Sequence, residues 1–327
     1  MRALVAVLVL ALLALCAPAA GVASAHPRLR FDLQAHRGGI GLTVESTLAA
    51  FAKALEVGVT TLELDVQITR DGREVVTHDR KTNPAKCLDT APAFPGDPAF
   101  PYGGKYVKDL TFAQVRTLDC GSTRWSQYPD QQLSPGARMP TLAEVFALAR
   151  AYRAHDIRFN IETKVEAAAP HETAPREQFV EITRREVLKS GFLRNVTIQS
   201  FDWTTLRLWR QTDPRFALVA LTQPEFFVPG SPWTGGLNPD DFGGSPARAA
   251  KTLGVTTVSP VHTMTTRALV DDAHALKLKV VPWTVDDPAV MHRLIDLGID
   301  GLITDYPDRL RDVLREQGFA LPKRHHR

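Results

Sequence analysis

Two histidines, an arginine, a lysine and three carboxylates stand at or near the ends of short apolar runs: His36-Arg37 after Leu33, Glu63-Leu64-Asp65 within Thr61 to Ile68, His78-Asp79 after Glu74, and Glu162-Thr163-Lys164 after Arg158. Side chains alternate along a strand, so Glu63 and Asp65 share one face of theirs, and Glu162 and Lys164 share one face of theirs. Three carboxylates meeting at one place repel one another unless a cation or a basic group neutralises them. Oxygen ligands from Glu63, Asp65 and Glu162, completed by waters, suit Ca²⁺ or Mg²⁺ better than Zn²⁺, which recruits His or Cys. Arg37 and Lys164 beside such a cation would hold a phosphate and stabilise charge on it. His36 and His78 would then move protons, one from the nucleophile and one to the leaving alkoxide. The chemistry open to this set is phosphodiester cleavage. Any one member alone reads equally well as a structural ion pair or a hydrogen-bonded rim residue; their joint placement on separate strand ends carries the reading.

The elements that must position these groups alternate in the manner of βα units around a parallel sheet. Strands are expected at 33–37, 61–68, 74–78, 158–163, 195–201, 216–222, 256–260, 279–285 and 301–304, and helices at 45–57, 142–155, 176–190, 204–212, 266–276 and 288–297. The second and third strands are joined by Thr69 to Arg73, too short for a parallel crossover, so they form a hairpin. A turn at Asp71-Gly72 would set Asp65 opposite His78. Without the return strand, eight helix-separated strands remain, the count of a (β/α)₈ TIM barrel, whose sites gather at the carboxyl ends of the strands. The stretch 80–140 is rich in Pro, Gly and aromatic residues, holds one short helix at 112–118, and reads as an insertion over the barrel mouth. A second Pro- and Gly-rich stretch, 223–244, adds to the same rim.

Composition narrows the class. With 327 residues, 44% apolar and 23% charged, the chain is globular, and a net charge of +3 spread over 39 basic and 36 acidic residues offers no clustered basic face for nucleic acid. Arg2, an apolar run from Ala3 to Cys16 and small residues at Ala23-Ser24-Ala25 read as a signal peptide over 1–25, followed by a barrel domain over 26–320 and a basic tail over 321–327. The apolar run falls short of the roughly 20 residues of a membrane span. Export into the extracellular, periplasmic or envelope space is therefore expected, with no transmembrane segment in the mature chain and no protein partner evident. That compartment is oxidising, and the mature chain keeps two cysteines, Cys87 and Cys120, which are expected to form a disulfide.

Ala35-His36-Arg37-Gly38, Glu45-Ser46-Thr47, Glu63-Leu64-Asp65-Val66, Asp71-Gly72 and His78-Asp79 together resemble the amino-terminal signature of the glycerophosphodiester phosphodiesterases of secreted bacterial type. Pro140-Thr141-Leu142, Asn160-Ile161-Glu162-Thr163-Lys164, Gln199-Ser200-Phe201-Asp202, Pro282-Trp283-Thr284-Val285 and Ile303-Thr304-Asp305-Tyr306-Pro307 extend the resemblance over nearly the whole mature chain. It implies a barrel, a divalent cation at Glu63, Asp65 and Glu162, an acid/base pair at His36 and His78, and phosphate contacts from Arg37 and Lys164. The implied substrate is a small glycerophosphodiester, cut to sn-glycerol 3-phosphate and an alcohol. Ser46 stands where the family commonly has Asn, so a shifted loop is expected there. Gln199 and Trp283 are further candidates for the pocket wall. Two other readings remain: a phospholipase D-like enzyme using an aromatic rim of Phe94, Phe100, Tyr102, Phe226, Phe227 and Trp233, and a catalytically inactive barrel serving as a binding module.

Overall fold

The computed structural model describes residues 31–327; the signal-peptide reading over 1–25 lies outside the described residues. Nine strands are present among them: β1 Asp32–Ala35, β2 Thr61–Ile68, β3 Glu74–Val76, β4 Arg158–Thr163, β5 Val196–Ser200, β6 Ala217–Thr222, β7 Thr257–Pro260, β8 Lys279–Val280 and β9 Gly301–Thr304. All but β3 run parallel, in the order β8-β7-β6-β5-β4-β2-β1-β9, and β3 pairs antiparallel with β2. Backbone bonds from Asp300 N to Val280 O, Ile303 N to Pro282 O and Val285 N to Ile303 O bring the two ends of this series together. The result is the expected eight-stranded barrel with one added hairpin strand.

Period-two alternation explains how the barrel places its polar groups. Leu62, Leu64, Val66 and Ile68 of β2 join the apolar cluster shared with the surrounding helices. The alternate residues Glu63, Asp65 and Gln67 are buried on the other face. Helices cover the outside: α1 Leu48–Val57, α3 Leu142–Ala151, α4 Arg176–Ser190, α5 Trp203–Thr212, α6 Pro246–Lys251, α7 Arg267–Ala275, α8 Pro288–Asp296 and α9 Pro307–Glu316, with the short α2 Phe112–Val115 in the insertion. The sequence reading lacked α6 and α9. The first is only six residues long; the second buries Leu310, Val313 and Leu314 at helical spacing, a stripe that the sequence reading passed over among its many charges.

Three local expectations need correction. The hairpin pairs Val66 with Val76 and Ile68 with Glu74, which shifts the register by one and sets Thr77, not His78, beside Asp65. The cause is Thr69, whose hydroxyl bonds Asp71 and the Arg73 backbone and closes a three-residue loop in place of a two-residue turn. The first strand stops at Ala35, and α1 starts at Leu48 with Thr47 as its N-cap, so His36, Arg37 and Glu45 all lie in turns. Ser46 has φ of 56° and its hydroxyl has no partner, in keeping with a shifted loop. The strand expected at 279–285 is regular only over Lys279–Val280, with Trp283 held by an isolated bridge to Val261.

The insertion has a core of its own, built from Val75, Tyr102, Val107, Leu110, Val115, Leu118 and Met139, and its Cys87 and Cys120 are disulfide-bonded across 33 positions. Closing a loop of that size removes denatured-state entropy worth about 3–4 kcal/mol. Cys120→Ser should therefore speed limited proteolysis within 80–140 while the barrel core stays resistant; equal cleavage rates in the two proteins would show that the apolar core alone holds the segment.

Candidate active site

At the carboxyl end of β1 the chain turns sharply. Arg37, Gly38 and Gly39 all have positive φ, at 52°, 85° and 88°. A Cβ at Gly38 would lie 2.8 Å from that of Ala50, so only glycine lets the turn sit against α1. The turn aims the Arg37 backbone N–H at Glu63 Oε2, 2.9 Å away. It also brings the Arg37 guanidinium to Glu45 Oε2 at 2.6 Å and to within 3.6 Å of Asp65 Oδ2. Glu63 Oε1 accepts from the Gln199 amide at 2.7 Å, and Asn160 donates to Gln199 and to Gln34 in the barrel interior. Gln199, expected as pocket wall, thus borders the cavity while orienting a carboxylate.

Glu63, Asp65 and Glu162 each offer an oxygen within 4.8 Å of the others, and all three are buried. Lys164 Nζ stands 2.9 Å from Glu162 Oε1 and 3.8 Å from Asp65 Oδ1. Burial pushes the Glu63 carboxyl well above its ordinary range, with the Asp65 charge adding to the rise. Glu162 is likewise raised, by burial first, with Lys164 offsetting part of the effect and Asp65 adding to it. Asp65 takes the opposite course: burial opposes its ionisation, but the Lys164 charge first, with Arg37, outweighs it and holds the group low. Asp65 Oδ2 has no hydrogen-bond partner in the protein despite being buried. An oxygen-only donor set with one orphaned carboxylate oxygen fits a hard divalent cation.

The two histidines are held in the same manner. His36 Nδ1 lies 2.5 Å from Asp305 Oδ1, and His78 Nδ1 lies 2.8 Å from Asp79 Oδ1. Both aspartates are held ionised, so they accept only, and each Nδ1 must be the donor. That fixes the tautomers with Nε2 as the remaining ring nitrogen. Burial lowers the His78 pKa, and Lys164 and Arg37 lower it further, to about 4. For His36, burial and Arg37 act downward, but the Asp305 bond and charge, with Glu63, more than offset them and the net shift is upward.

These groups line an inner cavity of about 130 Å³ formed by His36, Arg37, Glu63, His78, Glu162, Lys164 and Trp283 among others. An adjoining outer cavity of about 670 Å³ shares His78, Glu162, Lys164, Phe201 and Trp283, and adds the insertion residues Arg80 to Pro84 and the rings of Phe226 and Trp233. Phe226 and Trp233 stack at 4.2 Å, and Phe201 meets Phe226 and Trp283 edge to face at 5.3 Å. The other aromatic residues proposed for a lipid-facing rim are dispersed. Tyr102 is wholly buried in the insertion core with Phe100 against it, Phe227 packs on Trp203, and Phe94 is 52% exposed.

Sequence reasoning brought together His36, Arg37, Glu63, Asp65, His78, Glu162 and Lys164, and the structure has all seven converge. It missed the roles of Glu45, Asp79 and Asp305, each adjacent to or within a motif already singled out. Lys86 and Tyr128 carried no signal.

Protons on Glu63 and Glu162 compete with a cation, because groups with raised pKa stay protonated where ordinary carboxylates are charged. Divalent-cation affinity should therefore tighten as pH rises above the ordinary carboxylate range, with proton release on binding. Calorimetry in buffers of different ionisation enthalpy measures both, and an affinity flat with pH would contradict the raised values.

The chain matches the model of the glycerophosphoryl diester phosphodiesterase family over residues 36–309. A glycerophosphodiester phosphodiesterase of Caldanaerobacter subterraneus subsp. tengcongensis is 28% identical over 87% of this chain and 98% of its own. One from Bacillus subtilis is 28% identical over 85% of each. Among solved structures, a provisionally named glycerophosphoryl diester phosphodiesterase from Silicibacter pomeroyi superposes with a TM-score of 0.76 at 29% identity, covering 89% of this chain and 95% of that one. An Oleispira antarctica phosphodiesterase, solved with its product sn-glycerol-3-phosphate, shares the fold with a TM-score of 0.65 at 19% identity over 88% of this chain and 97% of that one. With the family match spanning the barrel and every charged group described above, the chain belongs to the glycerophosphoryl diester phosphodiesterase family and is a phosphoric diester hydrolase.

Proposed function

We propose that the protein hydrolyses glycerophosphodiesters to sn-glycerol 3-phosphate and an alcohol, using a divalent cation, Ca²⁺ or Mg²⁺, and two histidines as acid and base. The observation that carries this reading is the inner cavity, where three buried carboxylates, Arg37, Lys164 and two carboxylate-oriented histidines meet. Glu63, Asp65 and Glu162 would hold the cation, which when bound supplies Lewis-acid stabilisation of charge on the phosphoryl oxygens. Arg37 and Lys164 bind the phosphate and balance its charge through the transition state. His78, neutral because its pKa is depressed, accepts the proton of the nucleophile, which is water or the vicinal hydroxyl of the glycerol. His36, whose pKa is raised, starts protonated and gives its proton to the leaving alkoxide. Trp283 and the rings beyond it form one wall for the rest of the substrate. Export is part of the same proposal, and the Cys87 to Cys120 disulfide supports an oxidising compartment.

The roles have opposite pH signatures. Protonation of His78 sets the acid limb of kcat/KM, and loss of the His36 proton sets the alkaline limb above the ordinary histidine range. With glycerophosphocholine as substrate, release of glycerol 3-phosphate should stop with chelator and return with one of the two cations. His36→Ala and His78→Ala should each lower kcat by roughly 10²- to 10⁴-fold. His36→Ala should also lose the alkaline limb, and His78→Ala the acid one. A wild-type protein inactive on every glycerophosphodiester would sink the reading.

A further inference from the structure

Lys86 lies in the insertion, one residue before the disulfide cysteine Cys87, and its ammonium reaches two carboxylates at once: Glu45 Oε1 at 2.7 Å and Asp79 Oδ2 at 2.8 Å. The second oxygen of each carboxylate is already engaged. Glu45 Oε2 takes the Arg37 guanidinium at 2.6 Å, and Asp79 Oδ1 takes His78 Nδ1 at 2.8 Å. One ammonium thus sits at the centre of a line running Arg37, Glu45, Lys86, Asp79, His78. Its position is fixed from a third side, because Nζ stands 4.2 Å from the centroid of the Trp125 ring. Trp125 stacks on Tyr128, and the Tyr128 hydroxyl donates at 2.5 Å to Asp305 Oδ2, whose other oxygen holds His36.

From this convergence we infer that Lys86 is the positioning residue for the proposed phosphodiester cleavage, setting the Asp79–His78 and Glu45–Arg37 pairs in their working geometry without touching substrate itself. The inference rests on the function proposed above. The physical reason is charge balance in a partly buried place: the Lys86 and Glu45 side chains are 12% and 11% exposed and Asp79 28%. Asp79 faces a neutral imidazole, so without Lys86 its negative charge has no full cation beside it, and it gains by rotating away or by drawing a proton onto His78. Glu45 would then have Arg37 as its remaining ion-pair partner among the described residues, and Arg37 also faces Asp65. Lys86 spans both pairs from an irregular segment that the Cys87–Cys120 disulfide pins to the insertion core. The insertion thereby does more than roof the mouth: it supplies the cation that locks the base and the phosphate-binding arginine together.

The test is steady-state kinetics on glycerophosphocholine with wild type, Lys86→Met and Lys86→Arg, alongside thermal melting and calorimetric titration with the activating cation. Lys86→Met should lower kcat by roughly 10- to 100-fold, as loss of an outer-shell partner typically does. Cation affinity should stay within about threefold, because the cation ligands keep their own partners. Lys86→Arg, whose planar fork can bridge two carboxylates and stack on Trp125, should recover most of the loss. A kcat for Lys86→Met within about twofold of wild type would overturn the inference. So would equal impairment of both variants, or a loss explained by the folded fraction at the assay temperature. A second measurement covers poor folding of Lys86→Met: in an Asp79→Asn background the same substitution should cost clearly less than in wild type, and equal cost in both would also overturn it. An inactive wild type would instead remove the proposed function, and the two failures are thus distinct.

Discussion

Everything in the site answers one constraint: Glu63, Asp65 and Glu162 are like charges brought within 4.8 Å of one another in a buried place. At that separation their repulsion and desolvation cannot be borne by all three as anions. Two of them respond by holding on to protons, and Asp65 alone is kept charged, by Lys164 first and by Arg37. The protein's own cations do not complete the balance, since Asp65 Oδ2 and Arg37 Nε remain unpartnered 3.6 Å apart. A buried oxygen without a hydrogen-bond partner, beside a guanidinium edge in the same state, suits the cation and the phosphate of the proposed reaction.

The same constraint propagates outward in alternating signs. Groups beside the carboxylates are themselves steadied by acids farther out: the cations Arg37 by Glu45 and His36 by Asp305, and the neutral His78, through its Nδ1–H, by Asp79. Those acids are in turn met by groups from the insertion, Lys86 for Glu45 and Asp79, Tyr128 for Asp305. Burial makes this layering necessary, because an unpaired charge inside is far more costly than one at the surface. It also makes the insertion part of the site's electrostatics, although it contributes none of the groups that would touch the phosphate.

How much of this could be read from the sequence follows the regularity of the backbone. Glu63, Asp65 and Glu162 were legible because they lie on strands, and Lys164 because it directly follows one, where a period of two fixes the face of each residue. The barrel itself was legible from the alternation of strands and helices, except at α6, which is too short to show a pattern, and at α9, whose Leu310, Val313 and Leu314 are set among charges. The hairpin register was not, because it hangs on whether Thr69 uses its hydroxyl to widen the turn, a choice that Asp71-Gly72 alone does not reveal. Lys86 and Tyr128 were invisible for a deeper reason. Their segment has no period at all, and their reach to Asp79 and Asp305 depends on a disulfide and a small apolar core that assemble from residues up to 64 positions apart, Val75 to Met139.

The division between strand ends and loops also separates what the site does from what it accepts. All seven groups of the site's charge system come from β2, from β4 and the residue that follows it, and from the turns directly after β1 and β3, where the barrel leaves little freedom. The outer cavity is lined by Arg80 to Pro84 of the insertion and by Phe226 and Trp233 of the loop after β6. An alcohol leaving group extending into that space would meet stacked rings as well as basic and amide side chains, a surface that could be remade by loop changes without moving any carboxylate. The exception is the short stretch from Asp79 to Lys86, which lines the outer cavity with one part and braces His78 with another. Under the proposed mechanism, changes there would alter the outer cavity's wall and the setting of His78 together, so that stretch would tie selectivity to rate.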